Sequence, residues 1–180
     1  MIEIQKRIHR LRAAMENAEV DAYIIPSSDP HQGEYVAEYW QSRAWISGFT
    51  GSAGTVVVTQ KHLGLWTDSR YYLQAPDELK SADGSLHKMD GSREAWFINW
   101  LIDQLPSGAT LACDGRLFTE AEIRKMEKHL TNADLSLRAE LDLIHEVWDD
   151  RPPLASAAIE DFPVKYTGES REQKLMRVQQ

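Results

Sequence analysis

Apolar and polar positions follow two different periods along the chain, and these periods predict the order of helices and strands. From Ile4 to Met15 the apolar residues recur at the spacing of one helix face, so the chain begins with an amphipathic helix. Short apolar or β-branched runs predict strands at 21–26, 55–59, 63–68, 86–89, 110–114 and 136–141. A short turn at 60–62 joins the second and third of these strands into a hairpin.

Helical patterns lie between the predicted strands. They cover 34–47, a stretch that begins near Ser69 and is interrupted by Pro76, the apolar segment 93–105, and a segment opened by a capping box from Thr119 to Glu122. Strands that alternate with helices are typical of a layered α/β domain. Because a hairpin is antiparallel, the sheet is expected to be mixed rather than wholly parallel.

The composition changes near the end of the chain. Residues 151–163 are bounded by prolines and resemble a linker. A new helix follows, with Thr167 or Ser170 as its cap and Leu175 and Val178 as its first apolar positions. The sequence therefore predicts an α/β domain at 1–150, a linker at 151–166 and the start of a truncated second domain at 167–180.

Charge and composition narrow the range of partners and locations. The net charge of −8 over 180 residues argues against a nucleic-acid partner and against an anionic membrane surface. No apolar run approaches the ~18 residues of a spanning helix, and the first residues lack the apolar stretch of a signal peptide. The single cysteine, Cys113, excludes an intrachain disulfide and agrees with a reducing cytoplasm. We expect a cytoplasmic protein.

The glycine-rich stretch 48–54 has the composition of a phosphate-binding loop but not its order. A phosphate loop leads from a strand into a helix, whereas these glycines precede the β-branched run at 55–59. No Gly-Lys-Ser/Thr ending follows, and Gly51-Ser-Ala-Gly54 does not complete the Gly-x-Ser-x-Gly elbow of a serine hydrolase. We interpret the stretch as tight turns that lead into a strand.

No complete catalytic constellation is visible in the residues alone. The six histidines are scattered singly, and none has another within five positions, although a metal site assembled from distant residues stays open. Cys113 lies in a predicted buried strand, where cysteine usually serves as a small apolar residue rather than a nucleophile.

One polar region stands out at predicted strand ends, where α/β sheets form ligand crevices. Residues 26–34 are polar, and Asp68 and Arg70 follow the third strand directly. Asp68 is equally suited to capping the next helix. A cation in a first helical turn gains nothing from the helix dipole, so Arg70 serves either a ligand or partner, or a surface ion pair with Asp68 or Glu34.

Three segments together resemble a known family. Residues 24–35, 43–55 and 65–75 are similar to the N-terminal domain of Xaa-Pro aminopeptidases, members of the creatinase/prolidase group of metallopeptidases. Residues 147–153 and 166–168 resemble the boundary before a second domain in that family. Gly33 departs from the family pattern, which more often has a small polar residue there.

The resemblance implies a three-layer domain with a mixed sheet between helices. It also implies a longer enzyme that removes the N-terminal residue before a proline, with two divalent metals, usually manganese, in a catalytic domain beyond this chain. The fragment itself would be inactive, with no catalytic or metal-binding residue of its own. Full-length protein would pair this domain with its second and catalytic domains in a homodimer.

The resemblance implies that Arg70 lies on the side of the domain that faces the entrance of the catalytic domain. We expect His31, Glu34 and Asp68 to be its companions at a substrate-entrance or interdomain site. The alternative is a free-standing binding or dimerisation module that keeps the fold without the peptidase.

Overall fold

The computed structural model describes residues 3–89, 96–154 and 156–180. The strands are β1 (Ala22–Ile25), β2 (Thr55–Thr59), β3 (Leu63–Thr67), β4 (Ser85–Lys88), β5 (Thr110–Cys113) and β6 (Ser136–Arg138). The helices are α1 (Glu3–Asn17), α2 (Ser42–Ser47), α3 (Gln74–Glu78), α4 (Trp96–Gln104), α5 (Glu120–Thr131), α6 (Leu143–Val147), α7 (Val164–Thr167) and α8 (Arg171–Val178). Short 3₁₀ turns occupy Glu38–Trp40, Ser69–Tyr71, Leu79–Ala82 and Gly115–Leu117. None of the described helices is long and apolar enough to cross a bilayer.

The six strands form one mixed sheet in the order β4-β3-β2-β1-β5-β6. Strand β2 runs antiparallel to both of its neighbours, and the other pairs are parallel. The predicted hairpin between β2 and β3 is confirmed. Its turn is closed by Thr59, whose N–H donates to the His62 carbonyl at 2.9 Å and whose hydroxyl accepts from the His62 N–H at 3.0 Å.

Helices cover both faces of the sheet and make three layers. Successive residues of a strand point to opposite faces, so Tyr23 belongs to one apolar core and Ile24 to the other. The first core contains α1, α2, α3 and α6, and the second contains α4 and α5. The α/β three-layer fold expected from the sequence is therefore confirmed.

The predicted helix at 34–47 is wrong over its first half. A 3₁₀ turn at Glu38–Trp40 and the short α2 replace it, and Ala37 has an extended backbone. The regularly spaced aromatic residues do not share a buried face, because Tyr35 is 88% exposed while Trp40 is buried.

Pro76 does not interrupt a helix. It lies in the first turn of α3, where the missing N–H of a proline has no helical acceptor to lose. The last strand is shorter than expected and ends at Arg138, after which Glu140 bridges to Asp114. The predicted start of α4 near Arg93 lies outside the described residues.

The segment after α6 is fastened to the domain. The rings of Trp148 and Trp45 stack at 4.8 Å between centroids, and Asp149 accepts two hydrogen bonds of 2.8 Å from Arg10. The Arg151 side chain is only 5% exposed; it donates to the Tyr39 carbonyl at 2.9 Å and pairs with Asp142 at 3.1 Å. The packed structure thus includes Arg151, the first residue of the expected linker.

The final helices α7 and α8 lie outside both apolar cores. Ser170 caps α8 in a capping box with Gln173, in agreement with the sequence signal. Apolar side chains of this tail are exposed to solvent, among them Phe162, Tyr166, Leu175 and Val178.

Candidate functional site

The loops that follow β1, β3 and β5 meet at one edge of the sheet. Because β2 runs in the opposite direction, the glycine-rich loop 48–54 that precedes it reaches the same edge. The strand order changes direction at β1. Strands β2, β3 and β4 follow one another on one side of it, and β5 and β6 lie on the other side. In α/β sheets such a reversal in strand order opens a crevice at the carboxyl ends of the strands. We call this region the strand-end edge.

Two of the cavities at the strand-end edge adjoin the loop after β1. The larger has a volume of about 610 Å³ and lies between the end of β1, the end of β3 and helix α5, with Asp68 in its lining. The smaller, of about 320 Å³, is lined by Glu34, Tyr35 and Arg43. Both cavities share Pro26, Ser27 and Ser52 as walls, so the loop after β1 separates two adjoining depressions.

Asp68 and Arg70 form a bidentate ion pair at the rim. Arg70 donates from Nε and from one terminal nitrogen to the two carboxylate oxygens, each at 2.8 Å. Asp68 also accepts the Arg70 backbone N–H at 3.1 Å and caps the 3₁₀ turn that follows β3. The guanidinium lowers the pKa of Asp68 to about 2, so the carboxylate is ionised at neutral pH. The cap and the surface pair considered from the sequence are both present, and the Arg70 side chain is still 63% exposed.

Glu34 and His31 lie on the neighbouring loop, where Asp29 fixes the backbone. Asp29 is buried, and its carboxylate accepts the N–H groups of His31 at 2.9 Å and of Gly33 at 3.2 Å. A Cβ on Gly33 would meet the Asp29 carboxylate at 3.7 Å, an ordinary contact, so the fold leaves room for a small side chain there. Among the described contacts, none joins His31 or Glu34 to Arg70; the four candidates share an edge, and only Asp68 and Arg70 are bonded.

The glycine-rich loop is held in place by contacts within the protein. Arg43 is buried beneath it and donates to the carbonyls of Phe49, at 3.1 Å, and Gly51. From outside, the Glu78 carboxylate accepts the Thr50 N–H at 2.8 Å. Burial lowers the pKa of Arg43 to about 10, which leaves it protonated at neutral pH. The Thr50 N–H of the loop is already bonded to the Glu78 carboxylate, which supports the interpretation of the loop as a structural turn.

Backbone geometry explains two of the loop's glycines. Gly48 ends α2 in the left-handed conformation, at a φ of 76°, and its N–H donates to the Ala44 carbonyl at 2.8 Å. A Cβ on Gly51 would lie 2.3 Å from the Phe49 ring and 2.7 Å from the Tyr71 ring. Gly51 is therefore a position of close approach, where a side chain would overlap two aromatic rings.

Sequence reasoning missed a second pair of the same construction. After β5, Asp114 accepts the Arg116 backbone N–H at 3.1 Å and binds the guanidinium at 2.8 and 2.7 Å. Arg116 also donates to Asp142 at 2.5 Å. The signal was available, because Asp-x-Arg follows both β3 and β5. The arrangement closes the end of a strand in both places. Both arginine side chains are exposed, Arg70 by 63% and Arg116 by 52%, but among the described residues only Arg70 lacks a second acidic partner.

Cys113 belongs to the apolar core and not to the surface of this edge. Cys113 is buried in β5, and burial raises the pKa of its thiol to about 12, so the nucleophilic thiolate is disfavoured. Among the described residues, no group of three or more His, Cys, Asp or Glu side chains is arranged to hold a metal ion.

Sequence comparison matches residues 7–141 to the Creatinase/Prolidase N-terminal domain. The chain belongs to this family. It is 35% identical to Xaa-Pro aminopeptidase 2 of Rattus norvegicus over 174 residues, which are 96% of this chain and 25% of the relative. It is 39% identical to aminopeptidase P2 of Arabidopsis thaliana over 160 residues, or 87% of this chain and 22% of the relative.

Structural comparison agrees with the sequence. The X-prolyl aminopeptidase of Caenorhabditis elegans, described as a cytosolic enzyme with a di-nuclear active site, superposes with a TM-score of 0.84 at 30% identity. The match covers 99% of this chain and 31% of the nematode enzyme. The N-terminal domain of the cytoplasmic peptidase PepQ from Mycobacterium tuberculosis shares the fold, with a TM-score of 0.59 at 19% identity, over 79% of this chain and 98% of that domain. The chain thus spans about a quarter to a third of the length of the aminopeptidases it matches.

Proposed function

We propose that this chain is the non-catalytic N-terminal domain of a metal-dependent Xaa-Pro aminopeptidase that removes the residue preceding a proline. The observation that carries the proposal is the match to relatives of that activity over almost the whole chain but only a quarter of their length. The metals, two divalent ions of which manganese is our proposal, would be bound outside this chain. The second and catalytic domains of the same protein, a cytoplasmic location and a full-length homodimer belong to the same proposal.

Within that enzyme, the strand-end edge forms part of the substrate entrance or of the contact with the catalytic domain. A charged group and an aromatic group are exposed there: the Arg70 guanidinium at the rim and the Tyr35 ring beside the smaller cavity. A guanidinium binds carboxylates and carbonyls with directed hydrogen bonds, so Arg70 is suited to a peptide terminus or to an acidic side chain of another domain. Glu34, His31 and Asp68 shape the surroundings of this contact.

The experiment compares two proteins: the full-length polypeptide and the 180-residue chain, both assayed with a peptide that has proline second and with its alanine counterpart. We expect manganese-dependent release of the first residue by the full-length protein from the proline peptide alone. The 180-residue chain should release nothing. Turnover by the purified short chain that persists after removal of contaminating peptidases, or a full-length protein without proline-specific turnover, would contradict the proposal.

A free-standing binding or dimerisation module is the second candidate. The solved PepQ domain shows that an isolated domain of this fold has a defined structure, which is the observation in its favour. The exposed apolar side chains of α7 and α8 agree with both candidates, because a second domain and a partner copy would each cover such a surface. The coding sequence downstream of Gln180 distinguishes the two candidates, because only the first requires a catalytic domain there.

A further inference from the structure

Two histidines that are 25 positions apart in the sequence meet beside the edge strand of the sheet. His62 ends the turn before β3, and His87 lies in β4, where it pairs across the strands with Trp66. Their Nε2 atoms are 3.0 Å apart, and one ring donates its Nε2–H to the other in a hydrogen bond. This pair is the kind of assembly from distant residues that the sequence alone left open.

The surroundings hold both rings in place. The His87 ring stacks on Trp66 at 3.9 Å between centroids, with 9° between the planes. The Trp100 ring lies 4.9 Å from the His62 ring, and Thr59 fixes the backbone N–H of His62. Both histidines are half-buried, so each keeps an open side toward solvent. The two nitrogens are therefore positioned in advance by packing and by the β3–β4 ladder.

The separation of the two nitrogens suits a shared metal ion. Imidazole nitrogens bind zinc-like ions at ~2.0–2.1 Å, so two of them in adjacent positions of a square-planar ion lie about 2.9 Å apart. A tetrahedral ion would need about 3.3 Å. The observed distance is near the square-planar value, and square-planar or tetragonal geometry with nitrogen ligands is typical of copper(II) and nickel(II).

The protonation state also favours a metal over protons. Burial lowers the pKa of His87 to about 4, with the charge of His62 as the second cause. Burial also lowers the pKa of His62, helped by the charge of Arg12. At pH 7 both rings are neutral, so metal binding displaces no net proton. It requires only that the ring with Nε2–H move that hydrogen to its Nδ1.

We propose that His62 and His87 form a two-histidine site for a transition-metal ion, with copper(II) preferred, and with water in the remaining positions. Among the described residues no third His, Cys, Asp or Glu completes the set, so the protein supplies two ligands. Imidazole is a good ligand for this ion, and copper(II) stands highest in the general order of divalent affinities. The inference is independent of the peptidase activity proposed above.

The test is titration of the 180-residue chain with copper(II) at pH 7, followed by tryptophan fluorescence and by electron paramagnetic resonance. We expect one ion to quench fluorescence, since Trp66 and Trp100 lie beside the site. The resonance spectrum of this ion should show two nitrogen ligands. His62→Gln and His87→Gln should each weaken the binding at least tenfold, while His9→Gln, on the exposed side of α1, should leave it unchanged.

Equal copper affinity in the wild type and in both variants, or a spectrum with a single nitrogen, would overturn the proposal. Circular dichroism of each metal-free variant shows whether it is folded. If a variant unfolds, the spectrum of the wild-type complex still decides, because it needs no substitution.

Discussion

Arg70 and Arg116 form the same local ion pair but differ in their other contacts. Each arginine is bound by the aspartate two positions before it, at the end of a strand. Arg116 is further engaged by Asp142 and lies over the Trp40 ring at 5.1 Å. Arg70 has the Tyr71 ring at 5.2 Å and an exposed side chain at the cavity rim. Both side chains reach solvent, but Arg116 has two acidic partners, Asp114 and Asp142, whereas Arg70 has one and is available to another group.

This difference gives the first prediction. In the full-length enzyme, Arg70→Ala should lower kcat/KM on Xaa-Pro peptides by about tenfold or more, because it removes a directed donor from the entrance. The melting temperature of the 180-residue chain should stay unchanged, since an exposed ion pair adds little stability. Arg116→Ala is the matched control and should lower that melting temperature. Unchanged full-length kinetics, or a loss of stability in Arg70→Ala, would assign Arg70 to structure alone.

The histidine pair predicts a pH dependence of stability. The folded-state pKa of His87 is about 4, below the ordinary 6.5, so the unfolded chain takes up a proton first as the pH falls. The free energy of unfolding should then be highest above about pH 6.5 and should decrease toward pH 4. His87→Phe keeps a ring on Trp66 but removes this titration.

Urea unfolding at pH 7, 6, 5 and 4.5 measures the effect. The difference in unfolding free energy between pH 7 and 4.5 should be smaller in His87→Phe than in the wild type. His9→Gln, which alters an exposed ring, should keep the wild-type dependence. The same pH dependence in His87→Phe as in the wild type would show that this pair does not carry it.

At the scale of the elements, the glycine-rich loop is bound by side chains from α2, from α3 and from the turn after β3. Arg43 binds its carbonyls from beneath, Glu78 binds the Thr50 N–H from outside, and the Tyr71 hydroxyl accepts the Ser52 N–H at 3.2 Å. The loop is thereby fixed between the end of β3 and the start of β2. Its geometry, and not a bound phosphate, explains the glycines.

Gly51→Ala should destabilise the domain by about 1–3 kcal/mol, the usual cost of an overpacked site. The new methyl group would overlap the buried Phe49 ring and the Tyr71 ring. Gly33→Ala is the comparison, because its Cβ finds an ordinary contact at 3.7 Å. That change should leave the stability of the domain unchanged or raise it by up to about 1 kcal/mol, because alanine lowers the conformational entropy of the unfolded chain. Chemical denaturation of the two variants checks the pair; equal stabilities would refute the packing argument.

Sequence patterns predicted the elements better than the contacts between them. All six strands overlap the runs that predicted them, although β6 ends early, because β-branched and apolar side chains pack well on a pleated, buried surface. The helix at 34–47 failed because aromatic spacing does not show which rings are buried. The Asp68 cap is local and was anticipated. The contact of His62 with His87 depends on strand order, which the sequence does not display.

At the scale of the whole molecule, the chain consists of a packed part up to residue 151 and an exposed tail. The Trp45–Trp148 stack and the Arg151 contacts fasten the chain to the domain as far as residue 151. From Ser156 onward the described side chains are exposed or half-buried, and none belongs to either apolar core. The part up to residue 151 thus has a core of its own, whereas the tail has apolar surface without a core.

The tail gives the last prediction. In the 180-residue chain, amide hydrogens from Thr167 onward should exchange within seconds, whereas those of β1, β2 and β5 should be protected. A single helix as short as α8 is marginal in water, even with its capping box. In the full-length protein the same amides should be protected, because the exposed Leu175 and Val178 would then be covered by the second domain. Measurement by mass spectrometry on both proteins, with the fragment 164–178 compared between them, isolates the effect of the added chain. Protection of this fragment in the short chain would show that α8 docks on the first domain or on another copy, and it would remove the support that the exposed tail gives to a second domain.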